Sequence, residues 1–130
     1  MQGLDYSSGV WQFESCGFVP NGTSGACIVH IHGASHGATT FMLTINYGDL
    51  RYYSGQLVAT DMYDKWFRVN LIHDVDGEKV TLFIDGVQKF ETKDRGPGDD
   101  LYFKCGVYAA RKNISYSMES RWKDIKIYKK

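Results

Sequence analysis

Five residues of this chain have the types and spacings needed for proton transfer and carboxylate recognition. His30 and His32 lie in Cys27-Ile-Val-His-Ile-His-Gly, and Tyr102, Lys104 and Tyr108 lie in Leu101-Tyr-Phe-Lys-Cys-Gly-Val-Tyr. On an extended strand, side chains at i and i+2 share a face about 7 Å apart. The two histidines therefore point one way, and so do Tyr102, Lys104, Gly106 and Tyr108. Paired imidazoles can bind anions, shuttle protons or ligate a metal. Phenols stack on rings and donate hydrogen bonds, and an ammonium attracts carboxylate. A Tyr-Lys-Gly-Tyr face reads as the floor of a sugar or carboxylate groove, with Gly106 leaving room for close approach to the backbone. A solvent-facing strand with ordinary histidines fits the same letters. Zinc needs three or four ligands. On strict alternation Cys27 points away from the imidazoles and His36 lies beyond Gly33, so no metal is expected.

The elements that must hold these residues are strands. Period-two alternation runs through "GVWQFES", "CIVHIHG", "TFMLTINYG", "LRYYSGQLV", "KWFRVNLIHDV", "EKVTLFIDG" and "LYFKCGVYAA". Turn signals separate them, among them Asp76-Gly77 and Asp85-Gly86. The count is roughly nine or ten short strands without a long helix, which predicts an all-β antiparallel sandwich or jelly roll with a concave groove. "TDMYDKWF" has room for one helical turn. Cys27 and Cys105 fall on apolar faces and read as inert core thiols. Trp66, Arg68, Asn70 and Ile72 share one face of their strand, and His73-Asp74 at its end reads as turn chemistry.

At 130 residues, with 43% hydrophobic and 15% aromatic side chains, the chain is expected to form one domain over residues 1–130. Lys and Arg total 15 and so do Asp and Glu, leaving no net field toward nucleic acid or an acidic membrane. No apolar run approaches the roughly 20 residues of a membrane span. The opening "MQGLDYSSGVW" lacks the charged and apolar regions of a signal peptide. The chain as given is expected in the cytoplasm, or in a secreted or vacuolar setting if the natural protein begins further upstream. Three cysteines cannot all pair within one chain.

Together "VWQFES", "HIHGAS", "YDKWFRVNLIHDV", "VTLFIDGVQKFE", "YFKCGVYAA" and "SMESRWKDIKI" resemble the plant citrate-binding-protein-like branch of the alginate lyase superfamily. The resemblance covers nearly the whole chain and implies a concanavalin-type jelly roll. "YFKCGVY" matches the lyases' Tyr-Phe-Lys-Ala-Gly-x-Tyr strand, which makes Tyr108 the counterpart of the catalytic phenol. "HIHG" matches their Gln-Ile-His strand at His32, with His30 where the family has Gln and Ala110 where it has a second Gln. The lyases' Arg-containing strand has no match in this chain, which opens at the segment that follows it in relatives.

The resemblance implies β-elimination chemistry through His32 and Tyr108, with His30, Tyr102 and Lys104 binding substrate and no cofactor. The ligand is expected to be a polyuronate, another saccharide or a recruited small plant metabolite. The alternative is a non-catalytic binder of citrate or oligosaccharide. A missing strand leaves an open sheet edge, and open edges invite pairing with a second copy. A homodimer is therefore expected, with Gln2 to Phe13 or the neighbouring strand near the interface. Arg51, Arg68 and Arg111 are the candidates to replace the lost arginine.

Overall fold

The computed structural model describes residues 5–34, 39–53, 55–98, 100–109 and 118–130, with Tyr108 and Ala109 described through their backbone. Ten strands follow in order: β1 (Val10–Phe18), β2 (Ala26–His32), β3 (Thr39–Asn46), β4 (Asp49–Tyr52), β5 (Leu57–Ala59), β6 (Trp66–Asp74), β7 (Lys79–Ile84), β8 (Val87–Lys93), β9 (Tyr102–Ala109) and β10 (Arg121–Lys129). They form two five-stranded antiparallel sheets, ordered β10-β1-β6-β7-β8 and β5-β4-β3-β2-β9. The expected sandwich is present, and no helix occurs among the described residues. "TDMYDKWF" forms turns rather than a helical turn, with Asp61 and Asp64 at positive φ.

Alternation explains the packing. Phe13, Ile31, Phe41, Leu43, Phe67, Val69, Leu71, Leu82 and Phe103 fill the space between the sheets and are almost wholly excluded from solvent. Their burial is the main force holding the two layers together. Phe13 stacks on Phe103 across the sandwich at 5.8 Å. Gly17 is required by its neighbour: a Cβ there would lie 2.8 Å from the Trp122 ring, which packs edge-on to Phe13 and Phe67. The Asp85-Gly86 turn joins β7 to β8 with both residues at positive φ, as a two-residue hairpin of this kind demands.

Two sequence expectations change here. β1 is flanked on both sides, by β10 and β6, so the N-terminal strand is not a sheet edge. The edges are β8, β10, β5 and β9. His73 also departs from its expected role. Asp74 does serve the turn, accepting the Gly77 N–H at 2.8 Å. His73 instead points inward, is fully buried, and joins two distant segments. Its Nδ1 lies 2.8 Å from Tyr6 Oη and its Nε2 lies 2.9 Å from Asp94 Oδ2.

A carboxylate only accepts, so Nε2 carries the proton given to Asp94, and Nδ1 accepts from the Tyr6 hydroxyl. Burial holds the Tyr6 phenol above its ordinary pKa, so it stays a donor. Tyr6 also exchanges both backbone hydrogen bonds with Leu101, one residue before β9. The relay thus fastens the N-terminal segment, the end of β6 and the residues entering the β8–β9 connection to one another.

The relay sets a pH dependence. Burial lowers the His73 pKa from its ordinary 6.5, against the opposing pull of Asp94 and Asp74. Below about pH 6.5 the unfolded chain takes up a proton that the folded chain still refuses, so stability rises with pH there and is lost on acidification. Calorimetric melting temperature should fall from pH 7.5 to pH 5. Tyr6→Phe leaves Nδ1 buried without its donor and should cost about 1–3 kcal/mol. His73→Gln should lower stability at pH 7.5 and flatten the pH profile. A profile unchanged by His73→Gln would contradict this account.

Candidate functional site

β2 lies between β3 and β9 in its sheet, and its register decides what meets on the outer face. His32 is opposite Tyr102 and His30 is opposite Lys104. Directly opposed residues in antiparallel strands share a face, with Cβ atoms about 5 Å apart. The ring centroids of His32 and Tyr102 are 5.4 Å apart, and those of His30 and His32 are 5.9 Å apart. Four of the five predicted residues therefore converge on one half-buried patch. Tyr108 lies on the same strand, its Cα paired with that of Cys27.

The register is interrupted at Ile28. Cys27 pairs with Thr44 and Val29 with Leu43, so β2 holds one more residue than β3 at this point. Ile28 and Val29 are both fully buried in the core, and the alternation is reset between them. Cys27 is consequently turned to the outer face with His30, against the expectation that it faces the core with Val29 and Ile31. Its Sγ lies 3.5 Å from His30 Nδ1 and 3.6 Å from the Val29 carbonyl oxygen. Cys105, on β9, keeps its expected core orientation and is only half-buried. Consecutive bulky apolar residues at Ile28-Val29 are the signal in the sequence for this insertion.

The electrostatics follow from burial and from Lys104. Desolvation, then Lys104, then His32 lower the His30 pKa to about 4, so this imidazole is neutral at pH 7. Neutral imidazole offers one N–H and one acceptor nitrogen, as a carboxamide offers both kinds of group. Cys27 is pushed up to about 12 by burial, opposed by its hydrogen bond with Val29 and by Lys104. It is a protonated thiol and a poor nucleophile.

One end of this face carries Tyr53. Its hydroxyl donates to the Thr39 carbonyl at 2.5 Å, and Thr39 is the cross-strand partner of His32. Burial pushes the Tyr53 phenol up to about 12. Arg95 lies over the Tyr53 ring, its guanidinium carbon 4.2 Å from the centroid. Neither residue stands out in the sequence: Tyr53 follows the end of β4, and Arg95 lies in the β8–β9 connection.

The three arginines expected from sequence fare differently. Arg51 is on the outer face of the same sheet, opposite Thr44, with its guanidinium bonded to the Gly55 carbonyl and near Asp49. Arg68 is on the outer face of the other sheet, paired with Glu14 and opposite Cys16, and plays no part in the groove. Arg111, like His36, lies outside the described residues. Among the described residues no group of three or more His, Cys, Asp or Glu is arranged to hold a metal. A cavity of about 430 Å³ lies elsewhere, between β5 and the β7–β8 turn.

The thiol assignment is directly measurable. Half-exposed Cys16 should be alkylated by iodoacetamide in the native protein while Cys27 is spared, as read by peptide mass spectrometry. Modification of Cys27 at the rate of a free thiol would contradict its placement beneath the imidazoles.

Comparison with known proteins supports the same architecture. The sequence model of the alginate lyase family matches residues 1–129. A citrate-binding protein of Hevea brasiliensis is 53% identical over 129 residues, covering 99% of this chain and 54% of the relative. The marine PL7 alginate lyase of Zobellia galactanivorans matches with a TM-score of 0.71 and 20% identity over 97% of this chain and 65% of its own. The family 7 alginate lyase A1-II', solved with a product, matches with a TM-score of 0.75 and 11% identity over the same shares. The chain thus spans about half the length of its plant relative and about two thirds of these lyases. With the family match running almost end to end, the chain belongs to the alginate lyase family.

Proposed function

We propose that the groove binds a carboxylate-bearing ligand and performs lyase-type acid–base chemistry on it. The observation that carries this reading is the convergence of His30, His32, Tyr102 and Lys104 on one patch, fixed by the β2–β9 register. Polyuronate is the substrate class that suits both the patch and the family.

β-Elimination removes the proton α to the uronate carboxylate, forms the ring double bond and expels the 4-oxygen with its electron pair. The carbanion-like transition state is accessible only if the carboxylate is neutralised by hydrogen-bond donors or cations. Lys104 supplies charge, and the neutral His30 imidazole stands where the lyases use an amide. His32 and Tyr108 are assigned the proton transfers. A phenol has a pKa of about 10, so its use as a base at neutral pH calls for nearby positive charge. Lys104 lies roughly 13 Å along the same strand from Tyr108, so the charge must reach the phenol across strands or through the ligand.

A second reading is favoured by the Hevea relative, which is named for binding citrate. In that reading the same residues hold a polycarboxylate without turnover. Both readings leave the groove metal-free, so chelator treatment should leave activity and binding intact.

Purified protein offered oligomannuronate, oligoguluronate or polygalacturonate should generate the ultraviolet absorbance of unsaturated uronate. Tyr108→Phe and His32→Ala should each reduce turnover by orders of magnitude with little change in melting temperature. Turnover that survives both variants would refute the catalytic assignment. Citrate binding without turnover, weakened by His32→Ala, would establish the binder instead.

We also propose a homodimer, now placed along β9. Among the described residues β9 has a single strand neighbour, β2, and its core-side residues Cys105 and Val107 are only partly buried. Light scattering at micromolar concentration should give twice the chain mass, and a monomer would refute the proposal.

A further inference from the structure

The patch around His32 is extended by a cation that arrives from outside its sheet. Arg95 follows Asp94, the carboxylate fixed by His73, in the connection between β8 and β9. Asp94 is held a second time by its backbone, which donates to the Glu78 carbonyl, and it accepts the Gly96 N–H at 3.2 Å. The residues that follow are packed against the end of β2. A Cβ on Gly98 would lie 2.0 Å from the Gly33 carbonyl oxygen, and one on Gly33 would lie 2.2 Å from that of Asp100. This segment therefore leaves a buried anchor at one end and touches the residue after His32 at the other.

Arg95 itself is exposed, and its side chain lies over the ring of Tyr53. The nearby Tyr52 and Tyr53 phenols raise its pKa above the ordinary value. Among the described residues, no carboxylate forms an ion pair with it, whereas Arg51, Arg68 and Arg121 each have one. A guanidinium held over a ring by cation–π attraction can still offer its N–H groups to a carboxylate through two parallel hydrogen bonds. The path from this guanidinium to the His32 imidazole crosses one phenol ring, one hydrogen bond from Tyr53 to Thr39, and one cross-strand pair.

We propose that Arg95, seated on Tyr53, is the carboxylate-recognition residue at one end of the groove, and that its ligand carries a carboxylate there while another part lies over His32, Tyr102 and Lys104. The inference rests on the groove reading above and deepens it. It assigns the ligand to multiply charged carboxylates, either an acidic oligosaccharide or a compact polycarboxylate. Tyr53 is the platform, and Asp94 with His73 are positioning residues that act through the segment they anchor.

Calorimetric titration decides the matter with three probes: a uronate trimer, citrate and a neutral glucose trimer. The proteins are wild type, Arg95→Gln, Arg95→Lys, Tyr53→Leu and the groove variants His32→Ala and Lys104→Gln. Arg95→Gln should weaken the anionic ligands tenfold or more, reduce the salt dependence of their binding, and leave melting temperature and any neutral-sugar binding unchanged. Arg95→Lys should recover part of the loss, since the charge remains but the two-pronged edge does not. Tyr53→Leu should weaken the same ligands. Loss for the trimer but not citrate would assign the acidic oligosaccharide, and loss for both would assign the shared polycarboxylate chemistry. Anion binding weakened by His32→Ala or Lys104→Gln but untouched by Arg95→Gln would overturn the Arg95 assignment alone. Equal weakening of charged and neutral ligands by Arg95→Gln would also overturn it. Wild-type protein that binds no anion would remove the groove reading and this inference together.

Discussion

The packing beneath His30 depends on one extra residue in β2. Without the insertion at Ile28, strict alternation could keep His30 and His32 on the outer face, but Cys27 would share the core with Val29 and Ile28 would be pushed outward. A wholly buried isoleucine on a polar face would forfeit roughly 1.5–3 kcal/mol of burial. Accommodating two consecutive apolar residues in the core costs one ladder irregularity on each side of β2, seen against both β3 and β9. What the irregularity gains is a thiol beneath the His30 ring. Cys27 is a small, weakly polar support that does not compete for the proton. The depressed basicity of His30 follows: the ring is desolvated from below and sits beside Lys104. Burial, Lys104 and His32 together keep His30 neutral at pH 7.

The second constraint is the Tyr6–His73–Asp94 relay, which holds together pieces distant in sequence. His73 is separated from Tyr6 by 67 positions and from Asp94 by 21. A buried imidazole must satisfy both nitrogens or pay several kcal/mol in desolvation without return. Here Tyr6 and Asp94 satisfy both nitrogens with a neutral ring. That requirement fixes where the β8–β9 connection leaves the sandwich, and hence where Arg95 emerges.

How far the sequence foretold this depends on whether a feature is local. Strand alternation is local, and so the sandwich, the Asp85-Gly86 hairpin and the shared face of His30 with His32 were all legible. The meeting of His32 with Tyr102 and of His30 with Lys104 was legible only as two polar faces. The cross-strand register that joins them is a long-range property, and the family resemblance implied only that the two faces serve one site. Cys27 was misplaced because period two was carried across Ile28-Val29 without allowing for an inserted residue. His73 was read as turn chemistry because its neighbour Asp74 does that work, while its own partners are far away in the chain. Arg95 escaped because a residue in a connection has no periodicity, and its orientation is set by Tyr53 and Asp94 together.

Positive charge near a ligand carboxylate can be carried by a sheet strand, as Lys104 is on β9, or by a connection, as Arg95 is between β8 and β9. An arginine on a central strand is held by its ladder, and its cost of ordering is met by the sheet. An arginine from a connection needs two other sources of order: an aromatic face to lie on and a fixed backbone beside it. Tyr53 and the His73-bound Asp94 provide these. The two solutions differ in consequence. Charge on a sheet stays where the register puts it, whereas charge on a connection is only as fixed as its anchor. Because the anchor is an imidazole held neutral by burial, acid that protonates His73 acts on the same segment that presents Arg95. On the proposed role of Arg95, loss of this buried hydrogen-bonded chain in acid should weaken anion binding as well as stability.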